Sequence, residues 1–337
     1  MRHVFWHFLV ALLLLATTVP ASATPRELRL SHQWPESDAR HKAARVLAAE
    51  LKKRTSAISI IIHPNSSLGF KPAEQYEAVL GGRIEMAVYP IPYAAAKIPE
   101  LAIGLLPGVP SDVETASLLK GTEFEEKLQQ FCEEKGFRLL TWWWNGGGFA
   151  SRTRAIGGPE TVKGLNARAS DNGFGEMFTA AGANLLLMSS NDIRSSMESG
   201  NLDVTITSYE SLMSFRISEL AKFATLGGLS IRTAFSPVII AKAVWDSMND
   251  EERLALEQAA AASDIYFEAT QREAEQAAID AFTKAGANVQ ALTFEEYAAW
   301  LRLAKEGSWK KYQSISPRAR ELFLALLQSF VDSDKRP

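Results

Sequence analysis

The stretches EAVLGGRIEMAVYP (residues 77–90) and RSSMESGNLDVTITS (residues 194–208) share one plan. Each runs from a short helix through a glycine stop to one polar residue, an aliphatic, an acid and an apolar strand. Gly82-Arg83-Ile84-Glu85 matches Gly200-Asn201-Leu202-Asp203. The two read as equivalent units, one in each of two α/β lobes. In open α/β sheets ligands bind beyond the carboxyl ends of the strands, so Tyr89 and Thr207 are expected to face a shared cleft.

Outward from this echo, strands and helices alternate. Residues 27–33 and 58–63 read as strands, with an amphipathic helix over 38–54 between them. A helix at 73–80 leads into a buried strand at 84–89. Residues 111–136 read as helix and 138–144 as strand. A second series begins at Phe149, with strands expected at 149–156, 165–170, 184–188 and 202–207. The last third is helical: Asn249 with Glu252 is a capping box opening a helix to about Lys284, ended by Gly286. At 1.5 Å per residue it would be roughly 50 Å long, enough to bridge both lobes. Thr293 with Glu296 repeats the box for 294–305, and Pro317 opens a last helix.

Arg2, the apolar run 4–19 and Pro20-Ala21-Ser22-Ala23 have the form of a signal peptide cut after Ala23. The formal net charge is −3, with acids and bases interspersed and no basic patch suited to nucleic acid. One cysteine, Cys132, provides neither a disulfide framework nor a thiolate metal site. No nucleotide loop, zinc-binding histidine motif or nucleophile elbow is recognisable, so no cofactor, metal or catalytic group is expected.

Arg168, at a strand end in KGLNARASDNG (163–173), is the sharpest candidate for contact with a ligand, because a guanidinium grips a carboxylate through two parallel hydrogen bonds. A surface or ion-pairing arginine is the competing reading. Asn172 either caps the next helix or reaches the ligand, capping being the commoner use. Alternation puts Trp143 on one face of its strand and Trp142 and Trp144 on the other. Core packing and cleft lining compete for these rings and for Phe149. Trp34, Tyr89 and Tyr93 are further strand-end aromatics. Thr205, Thr207, Ser208 and Tyr209 offer hydroxyls to a bound acid, although Ser208 also fits a helix cap.

SSLGFKPAEQYEAVLGGRIEMAVYP (66–90), KIPELAIGLLPGV (97–109), VKGLNARA (162–169), ESGNLDVTITS (198–208) and AKAVWDSMNDEERLALEQAA (241–260) follow one another in an order that resembles the DctP-like solute-binding proteins of TRAP transporters. The resemblance covers nearly all of the chain after residue 23. It implies two α/β lobes, a strand hinge, a long spanning helix, closure on an organic acid and delivery to an ion-driven membrane permease. It also assigns Arg168 to the ligand carboxylate. Where many sugar-acid binders of the family carry a second arginine, this chain has Gly148. Their asparagine aligns with Thr207, and a frequent aromatic aligns with Ser190.

The resulting expectation is a hinge-closing trap. Lobe I spans 24–147, with 231–260 returning to it, and lobe II spans 148–230 with part of 261–330. The spanning helix covers 249–285, and 331–337 form a tail. Arg168 would anchor a small carboxylate, with an aromatic or apolar monocarboxylate favoured by the nearby rings. Trp34, Tyr89, Trp143, Trp144, Phe149, Tyr209 and Phe235 would line the closed cleft with Asn172, Ser190 and Thr207. An ABC-type or sensor-linked binding protein is the nearest rival, and a two-lobed periplasmic enzyme a more distant one. Both monomer and dimer remain open.

Overall fold

The computed structural model describes residues 25–333. The expected signal peptide and residues 334–337 of the expected tail lie outside them. The first sheet begins with β1 (Arg26–Ser31), β2 (Ile58–His63), β3 (Met86–Val88) and β4 (Phe137–Leu139). The chain then crosses to a second sheet through β5 (Trp144–Ser151), β6 (Asn166–Ala169), β7 (Asn184–Leu187), β8 (Val204–Ser208) and β9 (Phe223–Thr225). A third short strand pairing, β10 (Thr233–Phe235) on β5, leads back to β11 (Val238–Ala241) in the first sheet. Finally β12 (Asn288–Gln290) adds to the second sheet beside β9.

The first sheet is ordered β2-β1-β3-β11-β4 and the second β12-β9-β5-β8-β6-β7. In each, a parallel core from βα units is completed by antiparallel strands at the crossings: β11 against β3 and β4, and β5 against β8 and β9. The echoed segments give β3 and β8, which run out of their short helices as the repeat suggested. Gly82 and Gly200 take positive φ, +66° and +82°, a backbone that glycine adopts without a Cβ penalty.

Local chemistry sets the element ends. Asp38 caps helix Ala39–Arg54 and accepts the Arg40 amide. The expected helix over 111–136 is two pieces, Val113–Ser117 and Glu123–Glu134, interrupted at Gly121, whose φ is +72°. The expected strand 138–144 also breaks. Between β4 and β5 the Leu140 amide bonds to Val238 O, while the Trp142 amide donates to the Asp264 carboxylate at 2.8 Å, so the segment leaves one sheet for the other. Trp143 faces one core and Trp142 and Trp144 another, the alternation that the sequence implied.

Helix Asp250–Lys284 opens on the expected capping box between Asn249 and Glu252. Its early turns lie on helix Ala39–Arg54, where Ser263 Oγ donates to Ala43 O at 2.8 Å. Phe267 then stacks on Trp143 at 4.9 Å. Its later turns bury Ala274, Ala278 and Phe282 in the second lobe, and Gly286 turns the chain into β12. Helix Phe294–Ala304 stays on that lobe, where Trp300 Nε1 donates to Gly157 O at 2.6 Å. A π turn over Lys305–Trp309 redirects the chain, and helix Pro317–Ser333 buries Leu322 and Phe323 with Phe124 and Leu128 of the first lobe.

Candidate functional site

The carboxyl ends of β1, β3, β6 and β8 converge on a narrow, nearly filled cleft between the lobes, with room for about 20 Å³. Trp34, Arg40, Tyr93, Arg168, Thr207 and Arg232 are among its walls. The lobes meet across it. Gln33 Nε2 donates to Ser190 Oγ at 3.0 Å, Asn191 Nδ2 to Gln33 O at 3.2 Å, and Arg40 Nη2 to Ser211 Oγ at 3.0 Å. This is a closed arrangement.

Arg168, near the end of β6, is 2 % exposed. Its Nε donates to Met188 O at 3.0 Å and its Nη1 to Ile206 O at 3.1 Å, which fixes the plane of the guanidinium. Nη2 has no hydrogen-bond partner among the described residues. Burial works against the charge, and the Tyr93 phenol and the Asp171 carboxylate partly offset it. Tyr93 comes from the opposite lobe. Burial is the largest influence and opposes ionisation of its phenol, but Arg168 and the hydrogen bonds from Gln33 and Ser190 together outweigh it and hold it below the ordinary range. The Ser190 amide and Gln33 Nε2 both donate toward its oxygen, at 3.3 and 3.4 Å.

Two further arginines stand in the walls. Arg40 is held by Asp38 through Nε and Nη2, both at 2.8 Å, and lies over the Trp34 ring with its Cζ 3.7 Å from the centroid. Burial, the largest influence, disfavours its charge, yet the Asp38 carboxylate, with smaller contributions from Glu210 and Tyr93, offsets this and raises its basicity. Arg40 is therefore largely neutralised. Arg232 precedes β10 and donates through Nη1 to Asn145 O, Asn145 Oδ1 and Gly146 O at 3.2–3.3 Å. Burial brings it down to about 10, well below the ordinary arginine range. No carboxylate forms an ion pair with Arg168 or Arg232 among the described residues.

The glycine triplet explains how Arg232 reaches the cleft. A Cβ on Gly147 would stand 2.1 Å from Thr207 O and 2.9 Å from Arg232 Cδ, and one on Gly148 2.4 Å from Thr225 O. Side chains are excluded from β5 there. The cation comes instead from the residue just before the neighbouring strand, which pairs Thr233 with Gly146. Neither Arg40 nor Arg232 was singled out from sequence. Arg40 reads as an ordinary helix residue, and the only signal for Arg232 was the glycine run against which it lies.

Of the eleven residues singled out, Arg168, Trp34, Ser190 and Thr207 meet at the cleft. Asn172 lies in its outer mouth with Met188 and Ser189, and the helix is capped by Asp171 instead. Apart from Trp34, the expected aromatic lining is turned away. Tyr89 stacks on Tyr76, Trp144 on Phe235, and Phe149 on Trp300. Trp143 is fully buried against Phe267, and Tyr209 Oη donates to Glu275 on the long helix at 3.0 Å. These rings fill the cores at the strand ends, where each sheet needs apolar volume, and leave Trp34 and Tyr93 as the cleft's aromatic walls among cations and hydroxyls.

Two α/β lobes closed over a buried, cation-walled cleft and joined by strands and a spanning helix define a two-lobed solute-binding protein. The bacterial extracellular solute-binding proteins of family 7, the DctP family, match residues 30–315, and the chain belongs to this family. A solute-binding protein of Albidiferax ferrireducens is 34% identical over 331 residues, covering 94% of this chain and 96% of the relative. The C4-dicarboxylate-binding periplasmic protein DctP of Rhodobacter capsulatus is 27% identical, over 85% and 86% of the two chains. A TRAP periplasmic solute-binding protein from Rhodoferax ferrireducens, solved with bound malonate, superposes with a TM-score of 0.88. It is 31% identical and covers 90% of this chain and 98% of its own.

Proposed function

We propose that this chain captures a small organic acid in the periplasm, by closing its two lobes, and presents it to the membrane permease of a TRAP transporter. The observation that carries this reading is the free Nη2 of Arg168, aimed from an otherwise fixed guanidinium buried at the lobe seam. A cation without an ion-pair partner is costly to bury, and a ligand carboxylate supplies the missing charge. Family membership, and the malonate held by the relative from Rhodoferax ferrireducens, support an acid as ligand. The relatives that the chain resembles are solute-binding proteins, which supports binding rather than turnover.

The lining favours a short hydrophilic acid over the aromatic one suggested by Trp143, Trp144 and Phe149, since those rings lie in the cores. A thermal-shift series of mono- and dicarboxylates tests the reading. Short acids raise the melting temperature of the parent protein and leave Arg168→Ala unmoved. A shift with neutral sugars and none with any acid overturns it.

A further inference from the structure

Next to the cleft, one carboxylate has no role in the contacts described so far. Glu210, in the first turn of the helix that follows β8, is 2 % exposed, and neither of its carboxylate oxygens has a hydrogen-bond partner among the described residues. Its neighbour Ser211 receives the Arg40 bond from the other lobe, so Glu210 sits directly behind a contact that exists only when the lobes meet. Arg40 and Asp38 face it from the first lobe and Arg232 from the segment before β10. From the long helix come Gln271, buried with its amide turned to the Glu210 carboxyl, and Glu275, which is engaged by Tyr209.

The charge count makes this side chain decisive. Asp38 cancels Arg40 at 2.8 Å, which leaves Arg168 and Arg232 as the cations not ion-paired within the cleft walls. With Glu210 ionised the enclosed seam would suit a single negative charge. With Glu210 neutral it suits two.

We propose that Glu210 is a specificity-determining residue, enclosed as the neutral acid, so that closing the lobes takes up one proton from solvent and matches the cleft to a doubly charged acid. The inference rests on the acid-binding reading for its ligand, but closure itself carries the proton. Burial, the largest influence, raises the tendency of this carboxyl to hold its proton; Arg40 opposes it, Asp38 adds to it, and the Glu210 and Gln271 amides oppose it more weakly. The proton comes from solvent and bonds to one Glu210 oxygen on closing, and it returns to solvent on opening. Because the closed state holds the proton more tightly, closure is favoured at low pH and weakened as pH rises through the open-state titration.

The test reads closure without any ligand. Spin labels introduced at two exposed positions on opposite lobes, R83C and N201C, report the closed fraction between pH 5.5 and 8. The closing constant is expected to fall by up to about tenfold per pH unit in the labelled parent. In Glu210→Gln, which keeps the shape and loses the charge, it is expected to be flat. A parent closed fraction that ignores pH, or a pH dependence that survives Glu210→Gln, overturns the proposal. Calorimetry with malonate in two buffers of different ionisation enthalpy adds a second reading: one proton taken up per malonate by the parent and none by Glu210→Gln. Equal uptake in both also overturns it. Failure of every acid in the thermal-shift series rejects the acid-binding reading instead and leaves the ligand-free pH profile to decide the role of Glu210.

Discussion

Gln33 of the first lobe donates its side-chain amide to Ser190 Oγ of the second at 3.0 Å, while its carbonyl accepts Asn191 Nδ2 at 3.2 Å. One residue thus clasps two consecutive residues across the seam. These bonds exist only in the closed arrangement, so their free energy belongs to closure. Replacing Gln33 by Ala removes its bond to Ser190, worth about 0.5–1.5 kcal/mol, and the longer one to Tyr93. The expected result is two- to tenfold faster ligand release by stopped-flow fluorescence, with the melting temperature of the ligand-free protein nearly unchanged. Unaltered release would show that the clasp contributes nothing to retention.

Arg168 separates stability from binding. Its buried charge lacks an ion pair, so Arg168→Met, which keeps apolar volume, is expected to leave the melting temperature of the empty protein equal or higher. Ligand affinity should fall at least a hundredfold, consistent with loss of a charge-assisted bond of about 3 kcal/mol. Arg168→Lys should recover little, because an ammonium cannot hold Met188 O, Ile206 O and a ligand in one plane. Titration calorimetry of the three proteins decides this, and binding by the Met variant at parent strength excludes Arg168 as the anchor.

Trp143 behaves oppositely. It is fully buried and stacks on Phe267 of the long helix. Trp143→Ala is expected to cost about 3–5 kcal/mol of stability, read from urea unfolding. The protein that remains folded should keep ligand affinity within a few-fold. A loss of affinity with stability intact would return this ring to the cleft.

His32 gives the protein an acid limit. Its Nε2 lies 3.1 Å from His41 Nδ1, and burial, reinforced by His41, lowers its pKa to about 3. The unfolded chain, where histidine titrates near 6.5, therefore binds more protons than the native one below that pH. The resulting stability is fully present above about pH 6.5 and is lost as pH falls toward 3. Between pH 6 and 5 the parent should lose up to about 1.4 kcal/mol per pH unit through this group. His32→Gln should lose measurably less. Equal slopes for both proteins would remove His32 from the acid response.

The fold was legible because its signals are local and repeated. The Gly82 and Gly200 stops, the Asn249 and Thr293 capping boxes and the β-branched run of β2 each act within a few residues. Arg168 was legible through its strand-end context and the motif around it. The rest of the cleft was not. Whether Trp144 or Phe149 turns to ligand or core depends on Phe235 and Trp300, which approach from distant segments. Arg232 enters the cleft through the register of β10 on β5, and Arg40 through the cap geometry of Asp38 and the position of Ser211. Glu210 sits one residue beyond the hydroxyl cluster and reads as ordinary helix polarity until the other lobe covers it.

The helix Asp250–Lys284 is anchored on the first lobe by Ser263 and Phe267 and on the second by Ala278 and Phe282. A single stiff rod fastened at both ends leaves the lobes little freedom to slide along each other, and motion is channelled into a swing at the strand crossings. The state of the molecule then reduces to one coordinate, the opening angle. A single well-chosen distance across the seam suffices to follow it in time, and any partner that touches both lobes can sense occupancy without ever contacting the ligand.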